Sequence, residues 1–270
     1  MTRVASAAVL LALIVATLWL APAWATVALA VAAAAIAAGE LAGLARALGA
    51  GISPVYLGSA AAAVCAAFAW RSFDVVTGDD LLGGVLLASI VASGTMALAA
   101  GPPSPAAMTR AAVAFMAPIY VGLPLGAIAS MRVTAGPSAV FALVLIVAVS
   151  DSAQYYSGRA FGRRKLAPAV SPAKTVEGAI GGLAAATIAG AVSGSSVLHL
   201  VPFNALTGAV VGVLVALFGM LGDLFESLLK RSAGVKDSSA LIPGHGGVLD
   251  RIDSYLFAAP CYYVVLRWLV

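Results

Sequence analysis

Long apolar runs, separated by short breaks marked by Pro, Gly or charge, set the rhythm of this chain. The stretch "VALAVAAAAIAAG" at 27–39 is typical: it does not alternate in polarity, as a β-barrel strand would, and it is too long for a soluble-core strand. At about 20 apolar residues per crossing, the runs predict nine helical spans. They lie near 4–21, 24–42, 54–70, 81–100, 110–130, 136–151, 174–197, 203–229 and 252–269. The expected fold is therefore all-α, a polytopic membrane bundle of about nine transmembrane helices. Arg3 and the "AWA" at 23–25 imitate a secretory signal. The apolar stretch between them is at the long end for a signal, so a retained first helix is expected.

Composition agrees with a membrane protein: 62% of the 270 residues are hydrophobic and 10% are charged, against about 25% charged in soluble domains. Cys65 and Cys261 sit far apart inside apolar runs, which argues against a disulfide framework or a thiolate metal site. A net charge of +4 is small for a nucleic-acid binder, and no nucleic-acid partner is expected. Placement says more than the sum. With the amino terminus in the cytoplasm, 12 of the 15 basic residues fall on the cytoplasmic side, and Arg71, Arg132 and Arg267 fall near the other. Residues 151–270 carry 10 of the 15 basic and 7 of the 11 acidic residues. Residues 1–150 accordingly read as an amino-terminal scaffold of about six helices, and 151–270 as the working part with two cytoplasmic loops.

The densest polar segment is "KRSAGVKDSSALIPGHGGVLDRID", 230–253. Just before it, Asp223, Glu226, Ser227 and Lys230 recur at helical spacing and form one polar stripe, which a solvated helix end would also produce. Asp250, Asp253 and Ser254 share a face at the start of the ninth span, where a helix dipole favours acids in any case. Carboxylates brought to one membrane face by two helices suit Mg²⁺, which takes one or two carboxylates together with substrate phosphate. Asp223 and Asp250 are the natural ligands. The glycines of "PGHGG" allow close backbone approach, so the Gly246 and Gly247 amides are candidates for lining an anion, although a tight turn uses the same residues. Lys230, Arg231, Lys236 and Arg251 add the positive charge a phosphate-rich substrate needs.

A second station is "SPAKTVEGAIGG", 171–182: Ser171 reads as N-cap and Pro172 as first helical residue, which puts Lys174 and Thr175 in an opening turn suited to phosphate. An ordinary capped helix with a snorkelling lysine is the plain alternative. Asp151 closes the sixth span and is either a third contributor or an interfacial carboxylate. "YYSGRAFGRRKL", 155–166, suits the headgroup layer. His199, Glu40 and Arg46 receive no role, the last two reading as the interfacial end of span two.

The run Ser227, Lys230, Arg231, Lys236, Asp237, Ser239, Pro243, His245, Gly246, Gly247, Asp250, Arg251, Asp253 resembles the signature of the phosphatidate cytidylyltransferases, or CDP-diacylglycerol synthases, at every fixed position. "DSAQYYSGRAFGRRKLAPAVSPAKTVEG" is similar to a second segment of that family, and the specific likeness covers about 151–254. Two departures stand out: Gln154 occupies a position where the family usually has a small residue, and Ala173 one where a second lysine is common.

The resemblance implies a membrane nucleotidyltransferase of phospholipid biosynthesis that joins CTP and phosphatidic acid, giving CDP-diacylglycerol and pyrophosphate. It implies a Mg²⁺ requirement, leaves open a second metal or monovalent ion, and suggests a homodimer in the bacterial inner membrane with its site facing the cytoplasm. On this reading the lipid phosphate attacks the α-phosphorus of CTP in line. Asp223 and Asp250 hold the metal, and Lys174, Lys230, Arg231, Lys236 and Arg251 balance charge. Ser171, Thr175, Glu226, Ser227, Gly246, Gly247 and Asp151 face the substrates, while Asp237, His245 and Asp253 orient them. A CTP-dependent lipid kinase or an enzyme acting on another lipid phosphate would share these sites. An ion or phosphate transporter would instead place its charges near mid-membrane in broken helices.

Overall fold

A computed structural model describes residues 12–195, 200–201, 203–242, 244 and 246–269. Residues 4–11 of the first expected span, His199 and His245 lie outside the described residues, while 12–19 is helical. The chain forms two compact units, Met1–Thr134 with Leu229–Ile252, and Ala135–Leu228 with Asp253–Val270.

The first unit holds α1 (Ala23–Ala47), α2 (Pro54–Trp70), α3 (Val75–Ala99), α4 (Pro105–Ala117), a π-helical turn (Pro118–Gly122) and α5 (Leu123–Thr134). The second holds α6 (Gly136–Phe161), the strands β1 (Lys165–Ala167) and β2 (Ser171–Thr175), and α7 (Val176–Ser193). Two further helices, α8 (Ala205–Ser232) and α9 (Leu249–Leu269), supply residues to both units. Among the described residues six helical stretches are long and apolar enough to cross a membrane: α1, α3, the run Pro105–Thr134, α6, α7 and α8. The 17-residue α2 is apolar but shorter. The protein is an all-α polytopic membrane protein.

Local chemistry explains the helix starts. Ser53 accepts from the Tyr56 amide at 3.3 Å with Pro54 at the first helical position, which fixes α2 where the sequence predicts it. Asp74 accepts from the amides of Val76 and Thr77 at the head of α3. Two expectations are corrected. The sixth span was expected to end at 151, yet α6 continues to Phe161, since nothing in "DSAQYYSGRAF" breaks a helix and Gly158 packs beside Thr175. Ser171 is not an N-cap and Pro172 does not begin a helix. Residues 171–175 are extended and pair antiparallel with 165–167. Proline's fixed φ serves a strand here as well as a first helical turn. Thr175 is the cap, its Oγ1 accepting from the Gly178 amide at 3.1 Å, so Lys174 lies at the end of a strand.

Packing relies on small residues, as expected where lipid removes the hydrophobic drive between helices. In the first unit a Cβ on Gly58 would fall 2.7 Å from the Ala35 carbonyl, and one on Gly122 would fall 2.7 Å from that of Ala61. The core there is Ala34, Ala37, Ala38, Leu57, Ala61, Val64 and Cys65, all fully buried. The Ser93 hydroxyl donates to the Ala114 carbonyl and lies 2.8 Å from the Tyr56 hydroxyl, adding polar contacts between helices. In the second unit Ala186 and Gly190 of α7 meet Gly208 and Gly212 of α8 so closely that any Cβ on Gly190 would overlap the Gly208 carbonyl. Replacing Gly190 by Leu is expected to cost about 2 kcal/mol through overpacking. A lowered thermal midpoint in detergent checks this.

Candidate active site

In the second unit, β2 and α8 bring two opposite charges together. Lys174 Nζ lies 2.7 Å from Asp223 Oδ2, with the lysine side chain 18% and the aspartate 32% exposed. Ser227, one turn on, donates its hydroxyl to Asp223 Oδ1 at 3.4 Å. Asp151 on α6 acts electrostatically on this pair, and Asp253 is within electrostatic reach of Asp223, Glu226 and Asp151. Glu226 is fully buried. Asp253 accepts from the Ser254 amide. Gln154, the departure noted in the sequence, donates to Asp151 Oδ1 and to the Ser150 hydroxyl, both at 3.2 Å, and packs on Gly182. The hairpin that presents Lys174 is fastened by Glu177, whose carboxylate accepts from the amides of Arg163 and Arg164. Ser171, at the other end of β2, is half-buried.

In the first unit, the loop leading into α9 is wrapped around two carboxylates. Asp250 Oδ1 receives Lys230 Nζ at 2.5 Å; Oδ2 receives the Ser238 amide at 2.8 Å, the Ser238 hydroxyl at 2.7 Å and the Gly247 amide at 2.7 Å. Glu40 of α1 accepts from the Ser239 hydroxyl at 2.7 Å and from the amides of Val248 and Leu249 at 3.0 and 2.8 Å, and its Oε2 lies 3.0 Å from the same Ser238 hydroxyl that Asp250 reaches. The glycine turn therefore cradles anionic oxygens, and they belong to the protein itself. Gly246 has φ +80°, and a Cβ there would fall 2.6 Å from Asp250 Oδ2. Gly247 is wedged between Ser238 and Glu40, with no room for any side chain.

Asp250 precedes the apolar run 252–269. Burial opposes its ionisation, but Lys230, the Gly247 amide and the two donors of Ser238 outweigh that cost and hold its carboxyl at about 2. The Asp250 carboxyl is therefore ionised across the neutral range. Arg231, Lys236, Asp237 and Arg251 are exposed, with Arg231 donating to the Val235 carbonyl at 3.1 Å. His245 lies outside the described residues. Sequence reasoning missed Glu40, which is 8% exposed and has partners about 200 residues away. The only available signal was a lone carboxylate inside the apolar run "AAIAAGELAGLA".

A family model for cytidylyltransferases matches residues 1–269. The chain belongs to the cytidylyltransferase family. It is 50% identical over 124 residues to a phosphatidate cytidylyltransferase of Haemophilus influenzae, covering 44% of this chain and 42% of that protein. A phosphatidate cytidylyltransferase of Staphylococcus aureus is 40% identical over 158 residues, 58% of this chain and 59% of that one. An uncharacterized Escherichia coli protein, YnbB, is 42% identical over 137 residues, 51% of this chain and 45% of that protein. The chain spans about half the length of the curated relatives it matches.

Each unit of this cytidylyltransferase-family chain thus contains a lysine paired with an aspartate. Removing one partner of a buried pair strands the other's charge, and the pair in the first unit is the deeper, at 12% and 4% side-chain exposure. Lys230→Met is expected to destabilise the protein by about 3 kcal/mol. The check is its thermal midpoint in detergent against that of wild type.

Proposed function

We propose that this chain is a phosphatidate cytidylyltransferase: it joins CTP to phosphatidic acid and releases pyrophosphate. The observation that carries the reading is the meeting of Lys174 and Asp223 beside Asp151. A cation and carboxylates held together there suit a substrate that arrives as a phosphate chain with its own dication. The named relatives from Haemophilus and Staphylococcus support the choice of substrates.

The donor chemistry fits Mg²⁺. Asp223 offers carboxylate oxygen on a side chain one-third exposed, with the negative field of Asp151, Glu226 and Asp253 around it. Among the described residues no three His, Cys, Asp or Glu form a closed cage, and Mg²⁺ that brings substrate phosphate and water as ligands needs none. We assign the metal to Asp223. Asp250, the other carboxylate expected to hold it, has both oxygens engaged by donors of its own unit and serves in this reading to fix Lys230. Bound there, Mg²⁺ supplies neutralisation of the triphosphate.

The nucleophile is a phosphate oxygen of the lipid, already anionic, so the residues need to position and neutralise rather than remove a proton. Lys174 leaves Asp223 for an incoming phosphate oxygen. In the first unit, Lys230, Arg231, Lys236 and Arg251 offer positive charge suited to phosphate. The bond from lipid oxygen to α-phosphorus forms as the bond from α-phosphorus to the bridging oxygen breaks, and both electrons of the latter leave with pyrophosphate. The proposed enzyme is a homodimer in a bacterial inner membrane with this chemistry on the cytoplasmic side, supported by helices rich in small residues and by the skew of basic residues.

Purified protein in detergent with phosphatidic acid, Mg²⁺ and CTP labelled in its cytosine ring is expected to transfer the label to lipid. Asp223→Asn should lower the rate at least about 100-fold. Transfer of a γ-phosphate label without cytidine would identify a kinase instead.

A further inference from the structure

Glu40 stands on α1, far in sequence from every polar segment, yet its carboxylate is buried and fully used. Oε1 accepts from the Ser239 hydroxyl and the Val248 amide; Oε2 accepts from the Ser238 hydroxyl and the Leu249 amide. These four donors come from the two ends of one loop. Residues 238 and 239 open it, and 248 and 249 close it at the first turn of α9, where exposed amides favour an anion. One carboxylate thus closes the loop as a ring.

The contact extends further. The Ser238 hydroxyl lies within bonding distance of both Glu40 and Asp250, Asp250 holds Lys230, and Arg251 follows directly on the same helix. Ser238 has one hydroxyl proton and can give it to only one carboxylate at a time. Asp250 keeps two amides and an ammonium regardless, whereas Glu40 relies on the loop hydroxyls and the α9 amides.

We propose that Glu40 is a positioning residue for nucleotide binding: its carboxylate closes the loop 238–249 and so sets where Lys230 and Arg251 present their charge to the triphosphate of CTP. The inference rests on the cytidylyltransferase reading above. Those cations hold the triphosphate both before and during transfer, so displacing them weakens binding more than it slows chemistry. Lipid binding is not affected.

The decisive variant is Glu40→Gln, which keeps shape but sets an amide N–H₂ against the loop's own donors. With labelled CTP and phosphatidic acid, the expected result is a rise in KM for CTP of about tenfold, with kcat within threefold and KM for phosphatidic acid unchanged. Trypsin cleavage at exposed Lys236, followed without any substrate, should become faster. A Glu40→Gln enzyme whose KM for CTP stays within twofold of wild type overturns the proposal. If this variant loses its cooperative thermal transition, Ser239→Ala decides: it removes one donor, and a rise of two- to threefold in KM for CTP alone supports the proposal, while no change overturns it. Wild-type protein that transfers no cytidine contradicts the functional reading, whereas the trypsin comparison still tests the loop.

Discussion

A carboxylate inside an apolar chain persists only when donors surround it, and in this protein the donors are the backbone amides of loops and helix starts. Glu40 and Asp250 together receive the amides of Ser238, Gly247, Val248 and Leu249. Glu177 does the same for Arg163 and Arg164, and Asp74 for Val76 and Thr77. Each bond settles two problems, because a free amide in or near lipid is costly and a free carboxylate is costlier still. The polar loops are ordered by this exchange, and they carry the cations proposed to bind phosphate.

The scaffold has a different logic. Its helices approach through Gly and Ala, so backbones meet where side chains would normally keep them apart. That leaves little side-chain chemistry in α2 or α7 and concentrates charge where chains turn. Lys174 illustrates the consequence: a two-stranded hairpin too short to be stable alone, held by Glu177 and by the Thr175 cap, is enough to deliver one lysine to Asp223.

Much of the fold could be read from the residues. Ser53-Pro54 announces α2 through local capping, and the apolar runs announce α1 and α8, because these signals act within a turn or over a continuous stretch. Ser171-Pro172 misled for the same reason: proline suits a first helical turn and a strand equally, and the choice is made by pairing with 165–167. The polar run 223–253 marked where lysines and aspartates concentrate, but not that Lys230 would pair with Asp250 or that Asp250 would turn inward to its own loop. Glu40 could not be read at all, since what gives it meaning lies some 200 positions downstream.

Protein carboxylates, rather than water, hold the amides of the glycine turn. Hydrogen exchange of the purified protein in detergent, resolved across 234–252, tests it directly. The amides of Gly247, Val248 and Leu249 should exchange as slowly as those in the interior of α1, while Lys236 and Asp237 exchange quickly. Exchange at 247–249 as fast as at 236–237 would contradict it.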